Sequence, residues 1–292
     1  MDEQNFTSVR KLLALIIERN VSQETYTWLL DKAIQSANKD NNYQFNLTFT
    51  SIPRKTGKKE VAAEDADIKN INILIPGFTV QHWTIDKVSR VWLLMNLETT
   101  DKDHYITRIE NLFPQAEMNE LVALYSALPV LAYPEAWILR CAEGIRSNIG
   151  TVLEAIMYYN PYPAAYLNEA AWNQLVMRAF FTDKNVNNII GLDERTNQNL
   201  ANILFDYVEE RWAAGRIVNP QIWRLVGKFM DDSHLYMIEQ LFQNHNETEQ
   251  QAAALTCRDS SFEKAVLLLD QYPQFKRAIE QKTLTWEIIA NK

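Results

Sequence analysis

Apolar residues recur at spacings of three and four along almost the whole chain, a period that admits little besides packed α-helices. Val9, Leu12, Leu13 and Ile16 mark a first helix, and Tyr26, Leu29, Leu30, Ala33 and Ile34 a second. From Thr84, placed as an N-cap, Ile85, Val88, Val91, Trp92 and Met95 share one face. Leu200, Ile203, Leu204, Tyr207, Val208 and Trp212 outline another helix, which Gly215 is placed to close. Glycine is otherwise scarce, at 7 of 292 residues against the roughly 20 that ordinary usage supplies. Folds built on glycine-rich turns are therefore disfavoured.

One region departs from the helical period. Phe45, Leu47 and Phe49 alternate with polar residues, as do Ile71, Ile73 and Ile75. A period of two predicts short strands, with the Pro53 to Lys59 stretch as the turn of a hairpin. Near the C-terminus, Gln250 to Cys257 and Phe262 to Leu269 read as short helices joined by Arg258, Asp259, Ser260 and Ser261. Such pairs are the unit of HEAT-like solenoids. The expected architecture is all-α: one domain over 1–292 built as a multi-helical stack of antiparallel helix pairs, a HEAT-like α-α superhelix. It carries a small extended or hairpin insertion at 43–76 and HEAT-like helices at 247–292.

Several chemistries are disfavoured by what the sequence lacks. No two glycines form the spacing of a phosphate-cradling loop, and no serine sits in a nucleophile elbow. Cys141 and Cys257 stand far apart, and His82, His104, His234 and His245 have no metal-ligand spacing, so neither a metal site nor a cofactor is expected. Two isolated cysteines suit a reducing compartment, and the expected location is cytoplasmic. The net charge of -8 argues against a nucleic-acid partner. The opening Met1-Asp2-Glu3-Gln4, followed by an apolar run flanked by charge, does not read as a secretion signal. The most apolar stretch, Leu121 to Pro134, falls short of the roughly 20 residues of a membrane-spanning helix and reads as buried core.

Polar residues concentrate between Tyr133 and Phe181. On the helix beginning at Pro134, Ile138, Ala142, Ile145 and Ile149 make one stripe, with Arg140, Glu143 and Ser147 opposite. That pattern fits a solvated face with an ordinary Arg140–Glu143 pair, or the lining of a groove. On the next helix, capped by Asn168, a helical wheel puts Glu169 and Asn173 among Val176, Met177 and Phe180, which predicts burial. Buried polar groups need partners. Arg140, Arg146 and Asn148 are within the preceding segment, and a structural network, a ligand-binding network and a catalytic carboxylate are all open readings. The Asn160-Pro161-Tyr162-Pro163 turn either presents Tyr162 to a ligand or merely redirects the chain. Asp193, Glu194 and Arg195 offer a loop salt bridge or a small polar site. Arg54, Lys55 and Lys58, with Lys59, form a solvated turn tip or an anion site. Eight tryptophans belong to the core or line an aromatic cavity.

Taken together, Tyr133-Pro134-Glu135-Ala136-Trp137, the run from Arg140 to Asn148, Asn160-Pro161-Tyr162-Pro163 and the run from Glu169 to Gln174 resemble the core signature of the EboA family. Gly191 to Arg195, Glu210 to Arg216, Trp223-Arg224 and the early Pro53 to Lys58 segment extend the resemblance. It implies a soluble cytoplasmic protein from a bacterial gene cluster associated with moving a secondary metabolite, or its precursor, out of the cytoplasm. It further implies a setting that includes a membrane prenyltransferase-like protein and metal-hydrolase-like and sugar-isomerase-like proteins, and it supplies a pathway without a reaction. Carried onto this chain, the motifs make Arg140, Glu143, Arg146, Asn148, Tyr162, Glu169, Asn173 and Arg195 ligand-binding candidates. The resulting expectation is a non-catalytic binding or adaptor protein whose polar groove, between the Arg140 and Asn173 helices, holds a small, partly aromatic or isoprenoid metabolite. The alternatives are an enzyme using Glu143 or Glu169 as a buried general acid or base, and a HEAT-like scaffold recruiting the membrane prenyltransferase-like partner.

Overall fold

A computed structural model describes residues 3–37 and 42–290. Met1 and Asp2, read above for a secretion signal, and the last two positions of the expected C-terminal helices lie outside the described residues. Among the described residues there are eighteen α-helices and no named strand, with two isolated bridges, Glu60 to Thr84 and Tyr158 to Ile189. The chain divides into two compact units: residues up to Trp172 with 188–190, and 173–187 with the residues from Gly191 onward.

The first unit contains α1 (Glu3–Asn20), α2 (Gln23–Ala37), α3 (Asn42–Thr56), α4 (Asp65–Leu74), α5 (Ile85–Leu94), α6 (Lys102–Glu110), α7 (Met118–Ala127), α8 (Ile138–Gly144), α9 (Gly150–Met157) and α10 (Tyr162–Tyr166). Its centre is α5, where every residue except Lys87 is buried. A helix covered on all sides must be enclosed by others. Here α1, α3 and α7 supply the cover, and α7 packs in turn on α9. Thr84 is the N-cap residue as read, with extended backbone, although its side chain makes no capping bond.

The expected hairpin at 43–76 is not formed, because α3 and α4 occupy that region. Two positions explain the difference. Phe45 and Phe49, like Ile71 and Ile75, lie four residues apart, a spacing that fits a strand face and a helix face equally. The deciding residues are the ones between. Leu47 is 47% exposed and Ile73 67% exposed, whereas Phe45, Phe49 and Ile52 form a buried helical stripe.

Pro53 lies inside α3 rather than in a turn. A proline there has no N–H to donate to the carbonyl four residues earlier, that of Phe49. Arg90 of α5 fills the gap: its Nε donates to the Phe49 carbonyl at 3.1 Å. The same guanidinium donates to Asp86 at 2.7 Å, lies 3.5 Å from Glu120 of α7, and rests 5.4 Å from the Phe49 ring centre. A single buried cation thus ties α3, α5 and α7 together.

The second unit takes most of α11 (Glu169–Phe181), followed by α12 (Gln198–Ala213), α13 (Ile222–Val226), α14 (Leu235–Phe242), α15 (Glu247–Asp259), α16 (Glu263–Leu269), α17 (Pro273–Glu280) and α18 (Trp286–Ala290). Gly215 closes α12 as expected, at φ 66, with Gly215 N–H on the Trp212 carbonyl and Arg216 N–H on the Arg211 carbonyl. The two short C-terminal helices read from sequence are present as α15 and α16. Packing converges on α15, whose buried Ala252, Ala253 and Ala254 lie at the centre of contacts with α13, α14, α16, α17 and α18. Small side chains allow that closeness. A Cβ added to Gly227 would stand 3.1 Å from the Thr256 carbonyl oxygen.

Candidate functional site

After α7, Pro129 and Pro134 break the helical path into two short 3-10 turns. Between them Tyr133 adopts φ 55 and ψ 59, a left-handed conformation that costs a non-glycine residue about 1 to 3 kcal/mol unless the surroundings hold it. They hold it closely. The Tyr133 hydroxyl donates to the Thr99 carbonyl, and its ring packs edge-on at 5.9 Å against Tyr105 of α6. The neighbouring Ala132 is fixed through both backbone groups: its N–H donates to the Tyr105 hydroxyl at 3.2 Å and its carbonyl accepts from Trp137 Nε1 at 2.8 Å. The Tyr162 hydroxyl donates to the Pro134 carbonyl, and the Tyr162 ring stacks on Tyr166 at 4.8 Å. Burial pushes the Tyr105 and Tyr162 hydroxyls well above the usual phenol range, so both stay protonated near neutral pH.

This framework presents Tyr133, Pro134 and Tyr166 to a cleft of about 400 Å³. Met95, Leu97, Leu128, Pro129 and Leu131 supply apolar walls, and Glu3, Phe6, Thr7 and Arg10 of α1 form the remaining side. Arg10 lies 5.8 Å from the Phe6 ring and pairs with no acid among the described residues. An apolar body flanked by phenol rings, with a guanidinium at one side, suits a largely apolar or aromatic molecule bearing a polar end.

Most of the residues singled out in the sequence lie elsewhere. Arg140 is clamped by two carboxylates: Nε and Nη2 reach Glu110 at 2.7 and 2.6 Å, and Nη1 reaches Glu143 at 2.6 Å. Its guanidinium rests 4.7 Å from the Phe113 ring centre. The i,i+3 pair with Glu143 was legible in the spacing. Glu110, thirty residues earlier on α6, was not. Arg146 and Asn148 are exposed in the connection between α8 and α9. Glu169 is also exposed, against the burial read from the wheel, because it occupies the first turn of α11, where no preceding turn covers it. Glu143 has a side chain 64% exposed. Neither glutamate is therefore the buried carboxylate that an acid-base reading requires.

Asn173 is buried, as read, but its partner is Asn197 rather than Arg140, Arg146 or Asn148. Their amides exchange hydrogen bonds of 3.2 and 2.9 Å, and Asn197 Oδ1 also accepts the Leu200 N–H at 2.9 Å, capping α12. Arg140 belongs to the first unit and the Asn173–Asn197 pair to the second. Arg195 is half-buried in the loop before α12, and its carbonyl accepts from Asn197 Nδ2 at 3.3 Å. A salt bridge in that loop joins Asp193 to Arg224: the two Asp193 oxygens face Nε, at 2.6 Å, and Nη2, while Arg224 Nη1 donates to Asn187 at 3.0 Å. Arg54, Lys55 and Lys58 are exposed around the C-terminal end of α3, with Lys55 Nζ 5.9 Å from the Trp28 ring.

Among the described residues, no group of three or more histidines, cysteines and acids is arranged to hold a metal ion, and no helix is long and apolar enough to cross a membrane. Burial pushes the Cys141 and Cys257 thiols up to about 12, which leaves both poor nucleophiles near neutral pH. A family model described as "Metabolite traffic protein EboA" matches residues 9–227. No curated protein and no solved structure matches the chain. The matched span includes the Tyr133–Pro134 wall, Tyr162, Tyr166 and the Asp193–Arg224 bridge.

Proposed function

Because the chain belongs to the EboA family of metabolite traffic proteins, we propose that it is a non-catalytic binding or adaptor protein of the bacterial cytoplasm. Its first-unit cleft holds a small, partly aromatic or isoprenoid metabolite, or the precursor of one, on the way to export. The observation that supports this most is the wall at Tyr133 and Pro134. A strained residue held from three sides, and lining a mostly apolar cleft, is the kind of feature that preorganised binding sites retain. Tyr162 acts there as a positioning residue, through the Pro134 carbonyl and the Tyr166 ring. Asn173, Glu169 and Arg195 are read as framework around α11 and α12. The helices gathered on α15 are consistent with a HEAT-like stack within the second unit.

The test is native mass spectrometry of the protein purified from its own host. A co-purifying small molecule is expected in the natural protein and not in Thr7→Trp, which fills the cleft from a half-exposed helix position. Tyr162→Phe should retain the ligand less well. If nothing co-purifies, or if Thr7→Trp leaves export of the metabolite unchanged, the reading fails.

One observation favours docking of a pathway partner as a second role. Leu139 of α8 is 83% exposed, and Ile149, Arg146 and Asn148 stand exposed a short way along the chain. An apolar residue among polar neighbours suits a protein contact. Leu139→Asp should then abolish capture of the membrane prenyltransferase-like protein from detergent-solubilised membranes. Unchanged capture would remove this role.

A further inference from the structure

The second unit contains a cleft of about 430 Å³ that the reading above does not use; the matched family span supplies Trp212, Arg216 and Val218 to it, and the later helices supply Leu241, Asn244 and Glu249. Its walls are the Trp212 indole and Val218 on one side and Leu241 and Asn244 on another, and Glu249 lies against it. Glu249 is only 7% exposed, and no protein side chain or backbone group holds its carboxylate among the described residues, so its oxygens meet solvent only through the cleft.

The local sequence explains why. Glu249 is the third residue after Asn246, the N-cap of α15, and an acid at that position ordinarily reaches back to the N-cap N–H. Here that N–H already donates to Asn244 Oδ1 at 2.9 Å. The Asn246 side chain is likewise engaged, with Thr248 N–H at 2.9 Å, and Gln250 Nε2 donates to the Asn244 carbonyl at 2.7 Å. The turn satisfies its own groups and leaves the carboxylate without a donor. A largely buried carboxylate that lacks protein donors is more easily protonated, and it favours a cation placed beside it in the cleft.

We propose that this cleft is a second binding site, for a small organic ammonium ion, in which Glu249 supplies the counter-charge and Trp212 the aromatic face. An ammonium group brings the missing donors and the missing positive charge together, and an indole is the best aromatic surface for a cation. Trp212 is steadied by Trp223, whose ring centre lies 5.8 Å away. The mostly apolar surroundings of a single carboxylate suit an organic cation better than a hard metal ion, which takes several oxygen ligands. Burial pushes the Glu249 carboxyl up to about 7, the direction expected of an acid awaiting a counter-ion. Arg216 is the other charged residue lining the cleft, and it is exposed.

Titrating the full chain with butylammonium and with its neutral isostere pentan-1-ol, followed by ligand-observed NMR, tests the assignment. Saturable binding of butylammonium, and not of the alcohol, is expected at about pH 8, weakening about tenfold near pH 6 as the carboxyl is protonated. Glu249→Gln should lose at least about tenfold in affinity while melting no lower than the natural protein, since it removes an unpaired buried charge. Trp212→Leu should weaken binding without removing the pH dependence, and gives an independent reading should the first variant fail to fold. Equal binding of amine and alcohol, unchanged affinity in Glu249→Gln, or no saturable binding at millimolar concentration would each overturn the proposal. The first-unit cleft is untouched by any of these outcomes.

Discussion

Glu249 and Lys87 both titrate near neutral pH, and each penalises the folded chain over a different range. Burial raises Glu249 from 4.5 to about 7, so its folded form favours the proton; stability from this group is full below about 4.5 and is lost as pH rises through 7. Lys87, half-buried overall with Nζ 3.9 Å from the Trp83 ring centre, is lowered by desolvation of its ammonium group from 10.5 to about 7. Its folded form favours the neutral amine, so stability from it is full above about 10.5 and is lost as pH falls through 7. Urea unfolding at a series of pH values should show Glu249→Gln abolishing the acid-side slope, with a gain on the order of 2 kcal/mol above neutral pH once residual solvent contact is allowed for. Lys87→Met should flatten the alkaline side. An absence of any pH-dependent difference between Glu249→Gln and the natural protein would contradict the unpaired state of that carboxylate. At this scale the sequence was informative about need and silent about partners. The Arg140–Glu143 pair follows from spacing along one helix, and Asn173 visibly required a hydrogen-bonding partner. Glu110 and Asn197 supply the missing halves from distant segments, which local periodicity cannot reach.

Helices α3 and α5 illustrate how an irregularity in one element is repaired by another. The carbonyl left open by Pro53 is bonded by Arg90, so the two positions should be energetically coupled. Arg90→Met leaves Asp86 and Glu120 buried without their cation and should destabilise the protein by about 3 to 5 kcal/mol in chemical denaturation. In a Pro53→Ala background, where an N–H is restored to α3, that loss should shrink by about 1 kcal/mol. Strict additivity would show that Arg90 does not compensate for the proline. In the second unit, Asn173→Ala should cost about 1 to 3 kcal/mol by stranding Asn197, and the matching double-mutant cycle with Asn197→Ala should reveal strong coupling. The same elements show where the reading of 43–76 went astray. Residues four apart satisfy both periods, and only the exposure of Leu47 and Ile73 separates them, a property set by tertiary packing rather than by the local pattern. The helices centred on α5, α12 and α15 were legible because their apolar stripes are long, or because Thr84 and Gly215 mark their ends.

Over the whole molecule, the all-helical character was readable from period and glycine content, whereas the division into two units was not, since no linker composition marks it. The family match ends at residue 227, but the packing of the second unit does not. Trp223 of α13 is fully buried, its carbonyl accepts from the Thr256 hydroxyl at 3.4 Å, and Gln221 Nε2 donates to the Trp286 carbonyl at 3.1 Å. A chain cut after Gly227 should therefore lose hydrogen-exchange protection throughout α12 and α13 and bind hydrophobic dyes. Retention of protection would show that the later helices are dispensable for folding. The three consecutive alanines of α15 have a consequence of their own. Methyl-sized side chains on the central shaft hold no slack, so a bulkier graft such as Ala253→Leu has no void to grow into and would shove several surrounding rods outward together. That short run sets the machining tolerance for the Glu249 recess and for everything else assembled around it.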